Sequence, residues 1–414
     1  MNGPIDFKFT KDDVDEILTP ACIRKKASFI YNSALEGSTF FKVNEDKYED
    51  VADYVLKTIK ENYPELEIPF HSRWGHFNSE KKNRIDSLSD KLAKYDPMEI
   101  SRREIDLVIL SVLLDAGAGD KWVYSDKETG EEINRSEGLA IASFDMFCRG
   151  TFSNTPELDP LRVDAEKLTK LNVEDLEKGF QVTKDNPLEG VEGRLNLVKS
   201  LGSTILKNKK FFNTPRPGAI VDYFHSIVHE GDLESSDILK TMLNALGSIW
   251  PGRINLGGKN LGDVWIYKPL VNATSIDCLV PFHKLSQWLS YSLIESLEKS
   301  GLKVMHIDQL TGLAEYRNGG LFVDLGAFEL RDKSLEQKSY LPQEDLIIEW
   351  RALTIIGLDK VASLIRKKLK LSSLDFPLPK ILEGGTWHAG RKVAKSLRPG
   401  GGPPIKIISD GTVF

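Results

Sequence analysis

The chain has 414 residues, 41% of them hydrophobic, and its 55 Lys and Arg stand against 61 Asp and Glu for a formal charge of -6. That composition belongs to a folded protein with an ample core; it excludes a disordered or fibrous chain and leaves no basic footprint for a phosphate backbone. Cys22, Cys148 and Cys278 are far apart and lack CxxC spacing, so neither a disulfide framework nor a Cys-rich metal site is expected, and a reducing setting is.

The opening MNGPIDFKFTKDDVDE has neither the basic start nor the apolar core of a signal peptide, and its acidic residues argue against a transit sequence. Thr10 before Lys-Asp-Asp and Thr19 before Pro20 are hydroxyl N-caps, so two short helices are predicted there. Apolar spacing of three and four predicts further helices over 46–61, 79–94, 101–115, 137–148, 188–207, 218–229, 235–249, 282–299 and 343–369. The stripe Ile238, Leu239, Met242, Leu243, Leu246, Ile249 shows the pattern well. Strand signals are sparse: a hairpin from Trp122–Tyr124 through Asp126–Glu131 to Ile133, and short strands at 261–267, 321–325 and 405–409. The longest apolar run, Leu107 to Leu114, falls short of the roughly 18 residues of a membrane span. No repeat or linker marks a boundary. One integrated, mostly helical domain over 1–414 is predicted, with any division into two lobes falling near 210–260.

Four segments break the bland pattern. Glu104 to Tyr124 runs as an apolar helix into Asp115, where the helix dipole disfavours a negative charge, so this carboxylate either pairs locally or is held in a pocket. Trp122, Tyr124, Arg135 and Glu137 follow it closely and suit a small polar ligand or ordinary packing. In 280–300, Phe282, Leu285, Leu289, Leu293 and Leu297 form a core stripe, while Lys284, Gln287, Trp288 and Tyr291 cluster opposite, as on a ligand-lining face or a second packing face. In 310–330, Glu315 and Arg317 lead into Asn318-Gly319-Gly320, a turn signal, and Asp324 sits in the run 321–325 with Arg317 as its nearest candidate partner. The tail from Glu383 sets glycines beside Arg391, Lys392 and Arg398, a candidate phosphate site or an ordered extension.

Several chemistries lack their signatures. His225 and His229 have i, i+4 spacing without the Glu of HExxH, and 70–77, FHSRWGHF, has no diagnostic spacing. No GxxxxGK[ST], strand-linked GxGxxG or GxSxG occurs, and neither a metal nor a cofactor is predicted.

The segments FHSRWGHF, LLDAGAGDKWVY, RSEGLAIAS, LGDVW, VPFHKLSQWLSYSL, LTGLAEYRNGGLFVDLG and the tail from Glu383 resemble, in this order and over nearly the whole chain, the fungal and bacterial uracil-catabolism proteins long catalogued as a domain of unknown function. These form the fourth component of the ring-opening uracil pathway. A more remote similarity is to the queuosine-salvage nucleosidases, which split a base from ribose. Their FYKRAQ segment is similar to 282–287, FHKLSQ, and their LTxFADYR segment to 310–317, LTGLAEYR, where Glu315 replaces the family's aspartate. DLIIEWR at 345–351 resembles their acidic ExEIRA segment.

The resemblance implies a mainly α fold with a helical, DNA-glycosylase-like core and a few short strands. It also implies a hydrolase that cleaves the ribose–nitrogen bond of a ring-opened uracil product, ribosylurea or its 5-phosphate, and releases urea. An oxocarbenium-like state needs a carboxylate near the anomeric carbon and a donor for the departing nitrogen. Glu315, Asp324 and Lys284 are the candidate catalytic residues; Asp115, Trp122, Tyr124, Arg135, Glu137, His283, Gln287, Trp288 and Arg317 are candidates for binding substrate, and Arg391, Lys392 and Arg398 for its phosphate. The expected partner is a small ribosyl substrate in the cytoplasm, with no nucleic acid or membrane and with contact to other enzymes of the pathway. A metal-assisted amidohydrolase and a non-catalytic scaffold stay open as alternatives.

Overall fold

In a computed structural model, residues 7–115, 117–119, 121–250, 254–270 and 276–408 are described. The fold is mainly α, and among these residues strands occur only as short two-stranded pairs. The predicted N-caps are in place. Thr10 accepts from the Asp13 amide ahead of the helix Lys11–Ile17, and Thr19 accepts from that of Cys22 ahead of Pro20–Glu36. No helix among the described residues is long and apolar enough to cross a membrane.

The chain gathers into two compact units. One comprises Met1–His71, Gly252–Gln287 and His306–Phe414; the other comprises Ser72–Pro251 and Trp288–Met305. In the first, the long helix Asp345–Leu369 packs against Pro20–Glu36, Lys47–Asn62 and Tyr316–Asp324. Four strand pairs belong to this unit among the described residues: Phe41–Val43 with Phe328–Leu330, Asn255–Leu256 with Lys259–Asn260, Val264–Ile266 with Leu279–Pro281, and Ser339–Tyr340 in parallel with Lys406–Ile407. In the second, Pro97–Leu113, buried from Leu107 through Leu113 with no exposed face, packs against Arg135–Cys148, and Ala165–Lys170 packs against Val191–Lys207. The predicted hairpin is here, Val123–Ser125 with Glu132–Asn134.

Several expectations are corrected. The stretch 321–325 is not a strand, and Asn318-Gly319-Gly320 is not a turn: 318–324 lie in the helix Tyr316–Asp324, and Leu325 is its C-cap. Its glycine is required by packing, since a Cβ at Gly319 would come within 2.8 Å of Trp350 Nε1 and Thr354 Oγ1. The tail is not a glycine loop. Leu382–Thr386 is a π turn and Trp387–Leu397 an α-helix, because Gly384 and Gly385 bring the chain against Ile68, Val55 and Ile59. The helix predicted over 79–94 starts only at Arg84, where Asn83 accepts from the Asp86 amide. The one predicted over 218–229 ends at Ile227 as Val228 turns extended, so His225 and His229 share no helix face. Lys284–Lys299 has no solvent face over most of its length: Gln287, Ser290, Tyr291 and Ser292 are buried along with Leu289 and Leu293. Ser409, the end of the strand predicted over 405–409, lies outside the described residues.

Candidate active site

Within the first unit one buried ion pair ties the interesting segments together. Asp263 precedes the strand Val264–Ile266, and Arg351 lies on the first turns of Asp345–Leu369. The guanidinium meets the carboxylate in a fork, Nη1 to Oδ1 at 2.7 Å and Nη2 to Oδ2 at 2.8 Å. Its Nε donates to the Ala314 carbonyl at 3.1 Å, and its plane lies 4.1 Å from the Phe282 ring centre. Asp263 also accepts from the backbone N–H of Lys284 at 3.0 Å and from Trp265 Nε1 at 2.6 Å. Burial by itself would raise the Asp263 pKa. The charge of Arg351 and the hydrogen bonds converging on the carboxylate outweigh that and hold it below the usual carboxylate range.

His283, just before the helix, has a left-handed backbone at φ 49°. A non-glycine residue held there marks a constrained position. Its ring is buried and meets the Ile17 carbonyl through Nε2 at 3.1 Å, and burial lowers the imidazole pKa, so the neutral form is favoured. Lys284 follows, half-buried, and Gln287 sits one turn on, its amide N–H bonded to the His283 carbonyl at 2.8 Å.

Glu315 is the N-cap of Tyr316–Asp324. Its Oε2 accepts from the Arg317 amide at 2.8 Å and its Oε1 from the Asn318 amide at 2.7 Å, while its residue surface remains 8% exposed. A carboxylate there is matched to the positive end of the helix and is fixed in direction by two N–H groups. The residue before it, Ala314, is the one whose carbonyl Arg351 holds. The Asp263–Arg351 pair therefore braces both the start of the Lys284 helix and the approach to Glu315.

The remaining candidates in this unit are differently placed. Asp324 lies at the other end of the Glu315 helix, about 13 Å along its axis. It is paired with Arg398 at 2.7 and 2.6 Å, not with Arg317 as expected. Arg317 instead stacks over Trp387 at 4.6 Å. The three tail cations take separate neighbours: Arg398 binds Asp324, Lys392 binds Glu61 at 2.5 Å, and Arg391 lies 5.5 Å from the Trp387 ring centre.

The other unit holds the rest. Asp115 accepts from Ser136 Oγ at 2.7 Å and faces Arg73 Nη1 at 3.2 Å. Arg73 is fully buried, donates from Nε to Ser111 at 2.7 Å, and lies 5.7 Å from the ring centre of Trp288. Asp115 is therefore locally paired. Trp122 and Tyr124 are interior: the indole donates to the Phe180 carbonyl at 2.9 Å and the phenol to Asp145 at 2.7 Å. Arg135 is exposed and Glu137 half-buried. An open polar cleft of about 670 Å³ along Val191–Lys207, lined among others by Lys199, Ser203 and Lys207, includes none of the predicted residues. Among the described residues no group of three or more His, Cys, Asp or Glu side chains is placed to hold a metal.

Asp263, Asn318 and Arg351 were absent from the sequence-based candidates. Asp263 and Arg351 stood in quoted motifs, LGDVW and DLIIEWR, but ion pairing over 88 positions has no local signal.

The fold and this site define a mainly α protein organised around a buried arginine–carboxylate pair that braces a lysine-bearing helix and a glutamate N-cap. Residues 16–414 match the model of a family described as "Protein of unknown function (DUF1688)", and the chain belongs to that family. It is 40% identical over 407 residues to Uracil catabolism protein 4 of Lachancea kluyveri, covering 90% of this chain and 92% of that protein. It is 41% identical over 416 residues to Protein urg3 of Schizosaccharomyces pombe, covering 97% of this chain and 99% of that one.

Proposed function

We propose that the protein acts in uracil catabolism as an N-ribosyl hydrolase, cleaving the ribose–nitrogen bond of a ring-opened uracil product, ribosylurea or its 5-phosphate, with release of urea. The pathway follows from the name of the Lachancea kluyveri relative. The bond cleaved follows from the similarity of 282–287 and 310–317 to the nucleosidase segments. One observation supports the chemistry above the others: Arg351 and Asp263 secure Lys284 and the approach to Glu315 in a single framework.

In this reading Glu315 is the carboxylate at the anomeric carbon, where it stabilises developing positive charge or takes a proton from the attacking water. Lys284 donates to the departing nitrogen or to a ribose hydroxyl. Directing Glu315 through two backbone N–H groups fixes its position before substrate arrives, which is how an electrostatic contribution is made without reorganisation. The setting proposed is the cytoplasm, the partner a small ribosyl compound.

Glu315→Gln keeps one oxygen to cap the helix, so the melting curve is expected to stay close to that of the wild type. Urea release should fall by roughly 10²- to 10⁴-fold. A variant that folds and turns over at the wild-type rate excludes Glu315 as the essential carboxylate. Loss of wild-type turnover to a chelator would favour a metal-assisted amidohydrolase instead.

A further inference from the structure

The open cleft of about 670 Å³ along Val191–Lys207 lies wholly within the unit that holds Arg73 and Asp115. Every residue that lines it is polar, two of them are lysines, and none is acidic. In a chain with more acidic than basic residues this is a local reversal of sign. One wall is fixed by hydrogen bonds. Thr204 Oγ1 and Ser248 Oγ meet at 3.1 Å, and Asn208 Nδ2 donates to the Ala245 carbonyl at 3.3 Å, so the helix is tied to the end of Ser235–Leu246 and to the turn Gly247–Ile249 that follows it.

The other lining side chains are uncommitted: among the described residues, Asn196, Lys199, Ser200, Ser203 and Lys207 make no side-chain hydrogen bond or ion pair. Their spacing of three and four puts them along one face of the helix. The two serines are the most telling. Ser33, Thr58, Ser292 and Thr354, also in helices, each return a hydrogen bond to the carbonyl four residues earlier, as helical hydroxyls commonly do. Ser200 and Ser203 do not, although both are half-buried in the recess, and so each keeps a donor and an acceptor for whatever enters. Lys199 and Lys207 are separated by about 12 Å along the helix axis, and their long flexible stems let both ammonium groups close on one anion between them.

We propose that this cleft is a second ligand site and that it binds a phosphorylated sugar, with Lys199 and Lys207 on the phosphate and Asn196, Ser200 and Ser203 on the sugar hydroxyls. Its volume is that of a small-molecule site. A nucleobase or an acyl chain finds no aromatic or apolar side chain in the lining to pack on, and a cation is opposed by the two ammonium groups. An inorganic anion leaves the hydroxyls and the amide unused. A sugar phosphate brings charge for the lysines and hydroxyls that both donate and accept for the rest. The inference goes beyond the hydrolase reading and is independent of it, since no residue of the cleft belongs to the site around Glu315.

Calorimetry on the full-length protein tests this with glucose 6-phosphate as the probe and with glucose and inorganic phosphate as its two halves. The ester should bind roughly tenfold or more tighter than either half. Replacing both lysines, Lys199→Gln with Lys207→Gln, should weaken the ester by roughly tenfold to a hundredfold, and Ser203→Ala by roughly twofold to tenfold. Glu315→Gln should leave the affinity unchanged. No binding of the ester at millimolar concentration, phosphate binding as tightly as the ester, an affinity unmoved by the double substitution, or an affinity lost in Glu315→Gln overturns the proposal. If the double variant does not fold, Lys207→Gln alone, at an exposed position, decides by the same comparison. Turnover is not part of the readout, so a protein that binds the ester here but does not hydrolyse ribosylurea refutes the hydrolase reading alone, and urea release without ester binding refutes the second site alone.

Discussion

Glu349 has 1% of its surface exposed, and its carboxyl accepts from the Tyr267 hydroxyl at 2.6 Å and from the Phe40 amide at 2.8 Å. Burial pushes its pKa up to about 7, with Asp345 adding to the rise and Arg331 opposing it. The unfolded carboxyl ionises near its model value of 4.5, so between there and about 7 the native state binds the extra proton. Stability is therefore greatest on the acid side of this window and falls as pH rises through it. Glu349→Gln should remove the dependence and be the more stable protein at pH 8, by on the order of 2 kcal/mol. Denaturant midpoints at pH 5 and 8 check this; identical pH slopes for the two proteins would contradict it. Arg351 makes an opposite prediction. Arg351→Ala leaves the Asp263 carboxylate buried without its partner, which should cost about 3–5 kcal/mol in urea unfolding. A loss under about 1 kcal/mol would mean the pair is not the brace described.

Two helices approach each other closely enough for one glycine to decide the fit. A Cβ on Gly390, in Trp387–Leu397, would come within 2.4 Å of the Arg317 carbonyl on the helix that Glu315 caps. Gly390→Ala should therefore push these helices apart, destabilising by about 1–3 kcal/mol and disturbing Glu315 together with them. Activity falling with stability unchanged, or neither changing, would contradict that packing. The same contact explains what periodicity could reveal. Caps and apolar stripes made Pro20–Glu36, Lys47–Asn62, Arg135–Cys148 and Asp345–Leu369 legible, because those signals are local. Asn318-Gly319-Gly320 read as a turn, and the glycines from 384 to 390 as part of a phosphate-binding loop or an ordered extension, because isolated propensity takes no account of a neighbour that leaves no room for a Cβ.

At the scale of the whole molecule, Lys284 and Gln287 were legible as a polar face opposite an apolar stripe and Glu315 through the resemblance of 310–317 to the nucleosidase segment, and all three lie in one unit. The paired charges were not legible. Asp324 had Arg317 as its nearest candidate partner in the sequence, whereas Arg398, 74 positions away, binds it, and Asp115 is held by Arg73 in the other unit. Long-range pairing is a property of the fold, and it separates the carboxylates that are structurally committed from Glu315, whose bonds are to its own helix. The account therefore stands on Glu315 acting on a ribosyl urea. Purified protein incubated with ribosylurea and with its 5-phosphate, with released urea measured, tests this most directly. Stoichiometric urea from at least one of them, lost in Glu315→Gln, is the predicted result; no urea from either compound would contradict it.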